Sequence, residues 1–137
     1  MTGILIVTHQ RLGEAMIEAA EFVLGFKPEG VAAVSIDLKE PAEKLREKIA
    51  EGIKSVKSEK GVLILTDMFG GSPSNLSYSF LEEGRVEVLS GINLPILLKA
   101  IRARQDMPLT DLIREVEAFG KKSISIASSI LKGNKRE

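Results

Sequence analysis

The chain contains no cysteine and no tryptophan, and its 137 residues include a single histidine, His9. The absence of cysteine excludes disulfides, thiolate nucleophiles, zinc–thiolate sites and iron–sulfur clusters together. With one histidine and no carboxylate cluster, a histidine metal site lacks its ligands, so neither a metal nor another cofactor is expected. Net charge is missing as well: 19 basic residues balance 19 acidic ones. A general nucleic-acid or membrane-surface binder needs a basic excess, which this chain does not have. No apolar run approaches the roughly 18 residues of a membrane span. The opening MTGILIVTHQR lacks the basic region and long apolar stretch of a signal peptide. These absences point to a cytoplasmic protein with no direct membrane insertion.

What is present is enough for one domain, long enough to bury roughly two-thirds of its unfolded surface. Short apolar runs alternate with helical patterns. The runs are Gly3 to Thr8, Val31 to Ile36, Gly61 to Thr66 and Arg85 to Leu89. The first and third are near-continuous and rich in β-branched residues, as strands covered on both faces are. Leu12, Met16, Ala19, Val23 and Phe26 step by three and four, which predicts one packed helix face with a stop at Gly25. Ala42, Leu45, Ile49, Ile53 and Val56 form a second such face. Ser72 is expected to cap a third helix with Pro73 in its first turn and Gly84 closing it before the next strand. Asn93 and Pro95 open a fourth helix. Thr110 opens a fifth, ended by Gly120.

Lys122 to Ser128 alternates isoleucine with serine, a period of two that predicts a half-exposed strand, the alternative being a helix continuing to Leu131. Residues 1–130 read as a single domain and 131–137 as a frayed tail. The alternation as a whole predicts an α/β, three-layer sandwich with a mostly parallel central sheet flanked by helices.

In such sheets ligands sit beyond the carboxyl ends of the strands. His9 follows the first strand and Asp67 the third, so both fall on that edge. After Asp67 come Met68, Phe69, Gly70, Gly71, Ser72 and Pro73, a glycine pair opening onto a helix N-terminus. Glycines let an anion approach the backbone closely, and free N–H groups attract it. An imidazole, a carboxylate and an anion cradle together suggest covalent phosphoryl transfer through His9. Asp67 would fix the ring's tautomer and stabilise the positive charge that grows on it. Gly70, Gly71 and Ser72 would hold the phosphoryl oxygens, and Met68 and Phe69 would form an apolar rim for partners. Taken singly, each piece also has a structural reading as a turn, cap or loop residue, Arg11 included. Other sites fail on their motifs: there is no Walker P-loop, no G-x-G-x-x-G after the first strand and no G-x-S-x-G elbow.

The opening ILIVTH, the segment LILTDMFGGSPSN and the later SGINLPILLKA resemble the IIA component of the mannose-family sugar phosphotransferase system, across nearly the whole chain. The resemblance implies a phosphocarrier that takes a phosphoryl group from the protein HPr onto His9 and passes it to a IIB component. It makes Asp67 the hydrogen-bonding partner and Gly71 and Ser72 part of the phosphate loop. It also implies a homodimer in which a C-terminal antiparallel strand is exchanged, giving Lys122 to Ser128 a role. Gln10 departs from the glycine that many members carry after the histidine, and its side chain is expected to narrow access to the ring. The chain's end at Glu137 implies a IIA without the fused IIB domain of some relatives. Three alternatives stand beside this reading: a regulatory or dihydroxyacetone-kinase-type phosphotransfer subunit, a non-catalytic phosphate- or nucleotide-binding module, and a receiver domain phosphorylated on Asp67. The last lacks the acidic cluster that such domains need at the end of the first strand, where Thr8 and His9 stand.

Overall fold

A computed structural model describes residues 1–132. Four strands and six helices follow along it, strand and helix alternating as far as α4: β1 (Gly3–His9), α1 (Leu12–Leu24), β2 (Val31–Ile36), α2 (Ala42–Val56), β3 (Val62–Thr66), α3 (Ser72–Tyr78), β4 (Val86–Ser90), α4 (Leu94–Ala103), α5 (Leu109–Lys122) and α6 (Ala127–Leu131). The sheet is parallel throughout, in the order β2-β1-β3-β4. The two central strands are the two with near-continuous apolar sequence, because both their faces are covered. Ile4, Ile6, Leu63 and Leu65 face α1, α4 and α5, while Leu5, Val7, Val62 and Ile64 face α2 and the end of α3. Each of these side chains is almost completely buried, which is worth about 1.5–3 kcal/mol apiece before entropy is counted.

The order places β1 beside β3 while their following helices leave to opposite faces, α1 to one side and α3 to the other. The topological switch point therefore lies between the ends of these two strands. His9 and Asp67 stand on its two sides. At the opposite end of the sheet, buried Arg104 closes the fold by donating from Nη1 to the carbonyls of Thr2 and Gly30 and from Nη2 to that of Glu29.

Several sequence expectations change. The packed face of α1 is not the Leu12–Phe26 stripe: Gly13 and Ala20 are buried, whereas Leu12, Phe22, Val23 and Phe26 are exposed. Gly13 decides this. A Cβ there would lie 3.1 Å from Ile6 Cγ2 and 3.3 Å from Ala33 Cβ, so the helix approaches the sheet at its one side-chain-free position. Thr8 Oγ1 accepts from the Gly13 N–H at 2.9 Å and holds that rotation. Gly25 does end α1, in the left-handed region at φ 82°. The α3 cap is Gly71 rather than Ser72, which occupies the first helical position with Pro73 behind it. That helix ends at Tyr78, and Gly84 belongs to the turn before β4. Asn93 caps α4, its Oδ1 accepting from the Ile96 N–H at 2.8 Å.

Gly120 does not end α5, which runs on to Lys122. Its missing side chain serves packing instead, since a Cβ there would lie 2.7 Å from Ile96 Cδ1. The strand expected over Lys122 to Ser128 does not form within the chain. Lys122 closes α5, Ala127 and Ser128 begin α6, and only residues 123–126 lie between. An alternating segment becomes a strand only where a ladder satisfies its N–H and C=O groups, and among the described residues this one pairs with no strand. Of the tail 131–137, Leu131 closes α6; 133–137 lie outside the described residues.

Candidate active site

The strand ends bring His9 and Asp67 into direct contact. Asp67 Oδ2 accepts from the His9 backbone N–H at 2.9 Å and lies 2.8 Å from His9 Nδ1. Its other oxygen, Oδ1, accepts from the Met68 N–H at 3.0 Å. Burial alone would raise the Asp67 pKa. The hydrogen bonds from the His9 backbone and ring, the charge of that ring and the local backbone outweigh burial and hold the carboxyl below its ordinary value of 3.8. An ionised carboxylate only accepts, so the proton of that contact sits on Nδ1, and in the neutral form of the ring the lone pair lies on Nε2. The His9 side chain is 35% exposed and that of Asp67 11%, so the ring is reachable while its partner is screened.

Nε2 is turned toward the glycine loop. A Cβ built on Gly71 would lie 2.9 Å from His9 Cε1 and 3.5 Å from Nε2, so a side chain at this position would push the ring aside. Gly70 stands at φ 86°, a left-handed turn that carries the chain from Met68 to this contact. Among the described residues, the N–H groups of Gly70, Gly71 and Ser72 make no hydrogen bond within the chain, and the Ser72 hydroxyl makes none. Beside them Met68 and Phe69 are exposed, Phe69 leaning on Tyr78 with ring centroids 6.2 Å apart. Arg11 is an exposed residue at the start of α1. No group of three or more acidic or histidine side chains gathers among the described residues to hold a metal.

Gln10 differs from expectation in where its effect lies. It is exposed, and the residue pressed on the ring is Gly71. The feature peculiar to Gln10 is its backbone, at φ 51°, the left-handed region in which a non-glycine residue costs roughly 1–2 kcal/mol. Gln10→Gly relieves that strain at the expense of a freer unfolded chain. The expected net result is a stabilisation of about 0.5–1 kcal/mol, read as a higher urea midpoint at unchanged slope. A lower midpoint would show that the turn is not strained.

The hydroxyl cluster behind the loop escaped sequence reading. Thr66, Ser74 and Ser90 come from β3, α3 and β4, and their oxygens lie 2.6, 2.8 and 3.0 Å apart. A threonine at a strand end and a serine within a helix are ordinary in sequence, and only the fold brings them together. Their available signal was polarity at positions that the strand and helix patterns mark as buried.

Comparison with known proteins follows the same line. The family model described as PTS system fructose IIA component (EIIA-man) matches residues 3–117. The fructose-specific EIIA component of Bacillus subtilis is 32% identical over 132 residues, covering 96% of this chain and 90% of that protein. The mannose-specific EIIAB component of Escherichia coli K12 is 37% identical over 110 residues, 80% of this chain but 34% of its own length. The crystal structure of phosphotransferase system component EIIA from Streptococcus agalactiae superposes with a TM-score of 0.83 at 26% identity, covering 94% of this chain and 99% of that one.

Proposed function

The chain belongs to the EIIA-man family of phosphotransferase-system IIA components, and from that premise we propose that it is a phosphocarrier whose phosphoryl group rides on His9. The observation that carries this reading is the orientation of one ring: Nδ1 on Asp67 and Nε2 on the Gly71 side, without a hydrogen bond among the described residues. HPr is the donor. Nε2 attacks the phosphorus in line as the bond between phosphorus and the donor breaks, the donor keeping that electron pair. The ring gains positive charge, which the Asp67 carboxylate offsets across the Nδ1–H bond. The N–H groups of Gly70, Gly71 and Ser72 receive the phosphoryl oxygens, so positioning and electrostatics supply the catalysis. A IIB component then takes the group by the reverse attack. Met68 and Phe69 form the apolar rim on which both partners dock in turn. The cytoplasm is where this exchange takes place. Incubation with phosphoenolpyruvate, Enzyme I and HPr tests the reading, and a chain that takes up no phosphoryl label overturns it.

The functional unit is a homodimer built by exchange of the segment from Lys122 to Ser128. Ile124 and Ile126 are 80% and 70% exposed in the single chain, and β4, at the sheet's edge, offers a ladder to an incoming strand. The expected outcome is that the wild type sediments at twice the mass of one chain, and that Ile124→Asp with Ile126→Asp sediments as a monomer. A monomeric wild type would refute the exchange.

A further inference from the structure

The loop from Met68 to Gly71 must carry Asp67 and Gly71 to the two sides of one imidazole, yet two of its four residues are glycines. Such a backbone has more freedom than the contacts it makes can tolerate. Two hydrogen bonds, both from α3, fasten its carbonyls. The Asn75 N–H donates to Gly71 O at 2.9 Å, the ordinary first bond of the helix. The other is a side chain: Ser74 Oγ donates to Met68 O at 2.5 Å. Ser74 is completely buried. With its one proton committed to Met68, its oxygen accepts from the Ser90 hydroxyl at 3.0 Å, which itself accepts from Thr66 Oγ1 at 2.8 Å. The chain Thr66 to Ser90 to Ser74 polarises the Ser74 O–H and strengthens the bond it donates. Met68 is thus held at both ends, its N–H by Asp67 Oδ1 and its carbonyl by Ser74.

We infer that Ser74 is a positioning residue for the transfer at His9: through Met68 O it fixes the two-glycine loop that sets Asp67 on Nδ1 and Gly71 against Nε2. This rests on the proposed phosphoryl transfer. Ser74 touches neither the ring nor the phosphoryl group, and its burial keeps it from any docking protein. Its loss should therefore slow transfer without weakening the encounter.

The experiment compares wild type, Ser74→Ala and Ser74→Cys, the last preserving volume while its weak S–H donor releases the carbonyl. Transfer from phosphorylated HPr should fall roughly 10- to 100-fold at saturating donor, as sub-ångström misplacement allows, with the half-saturating donor concentration unchanged. In ¹⁵N spectra of the free protein the His9 ring should shift from one tautomer, protonated at Nδ1, to a mixture. If the folded variants transfer at the wild-type rate and keep the single tautomer while melting lower, Ser74 is structural and the inference fails. A wild type that takes no label removes the phosphocarrier reading itself, an outcome distinct from a labelled wild type matched by equally fast variants.

Discussion

His9→Ala should abolish phosphoryl uptake from HPr outright, while leaving the domain folded. The size of this effect follows from composition and geometry together. The chain has no second histidine and no cysteine, so no other imidazole or thiolate can take the phosphoryl group. The nearest alternative acceptor, Asp67, has its carboxylate engaged by three hydrogen-bonding groups and lies mostly buried behind the ring. His9 itself ends β1 with its side chain partly in solvent, so alanine there leaves the core of Ile4, Leu5, Ile6 and Val7 intact. The label on the wild type should be lost in acid and kept in base, the behaviour of a phosphorus–nitrogen bond. Base-labile label surviving in His9→Ala would move the chemistry to Asp67 and restore the receiver-domain reading. Tight nucleotide binding with no covalent label would favour the binding module instead.

The sequence makes the site more legible than it makes the packing around it. Strand ends are easy to place when the strands are as continuous as GILIVT and VLILT, and parallel topology then sends every strand's carboxyl end to one edge. His9 and Asp67 could be put together on that basis alone. Helix rotation is harder. In α1 two apolar stripes share Met16, and periodicity favours the one with Leu12, Val23 and Phe26. The sheet takes the other, because Gly13 permits the close approach and Thr8 fixes it. Gly120 shows the same limit, since a glycine needed for helix contact and a glycine that stops a helix look alike in sequence. The segment after Lys122 is illegible for a different reason: whether alternation becomes a strand depends on a ladder partner, and among the described residues it pairs with none. Ser74 was invisible because a hydroxyl's role lies wholly in its neighbours.

Asp67→Asn should reduce the transfer rate by about 10²–10⁴-fold, the range expected when a carboxylate that orients and charges a catalytic imidazole becomes an amide. Three donors converge on Asp67, and asparagine offers one oxygen and an NH₂ that repels whichever donor it faces. If the oxygen takes the Oδ1 place and serves Met68, the NH₂ faces both His9 donors, the ring loses its acceptor, the Nδ1–H tautomer is no longer enforced, and Nε2 spends part of its time protonated and unreactive. The amide also leaves the positive charge on phosphorylated His9 uncompensated, so the phosphorylated form should hydrolyse or transfer back more readily. The pH dependence separates charge from shape. Because the folded-state Asp67 pKa is lowered, its contribution to stability is complete above the ordinary value of 3.8 and is lost only as pH falls through the lower folded value. Wild type and Asp67→Asn should therefore differ by a constant amount at neutral pH, and their stabilities should converge in acid below 3.8. A difference that persists unchanged through that range would mean the carboxylate's charge contributes nothing. A transfer rate equal to wild type at neutral pH would remove Asp67 from the mechanism and leave His9 to act on the glycine loop alone.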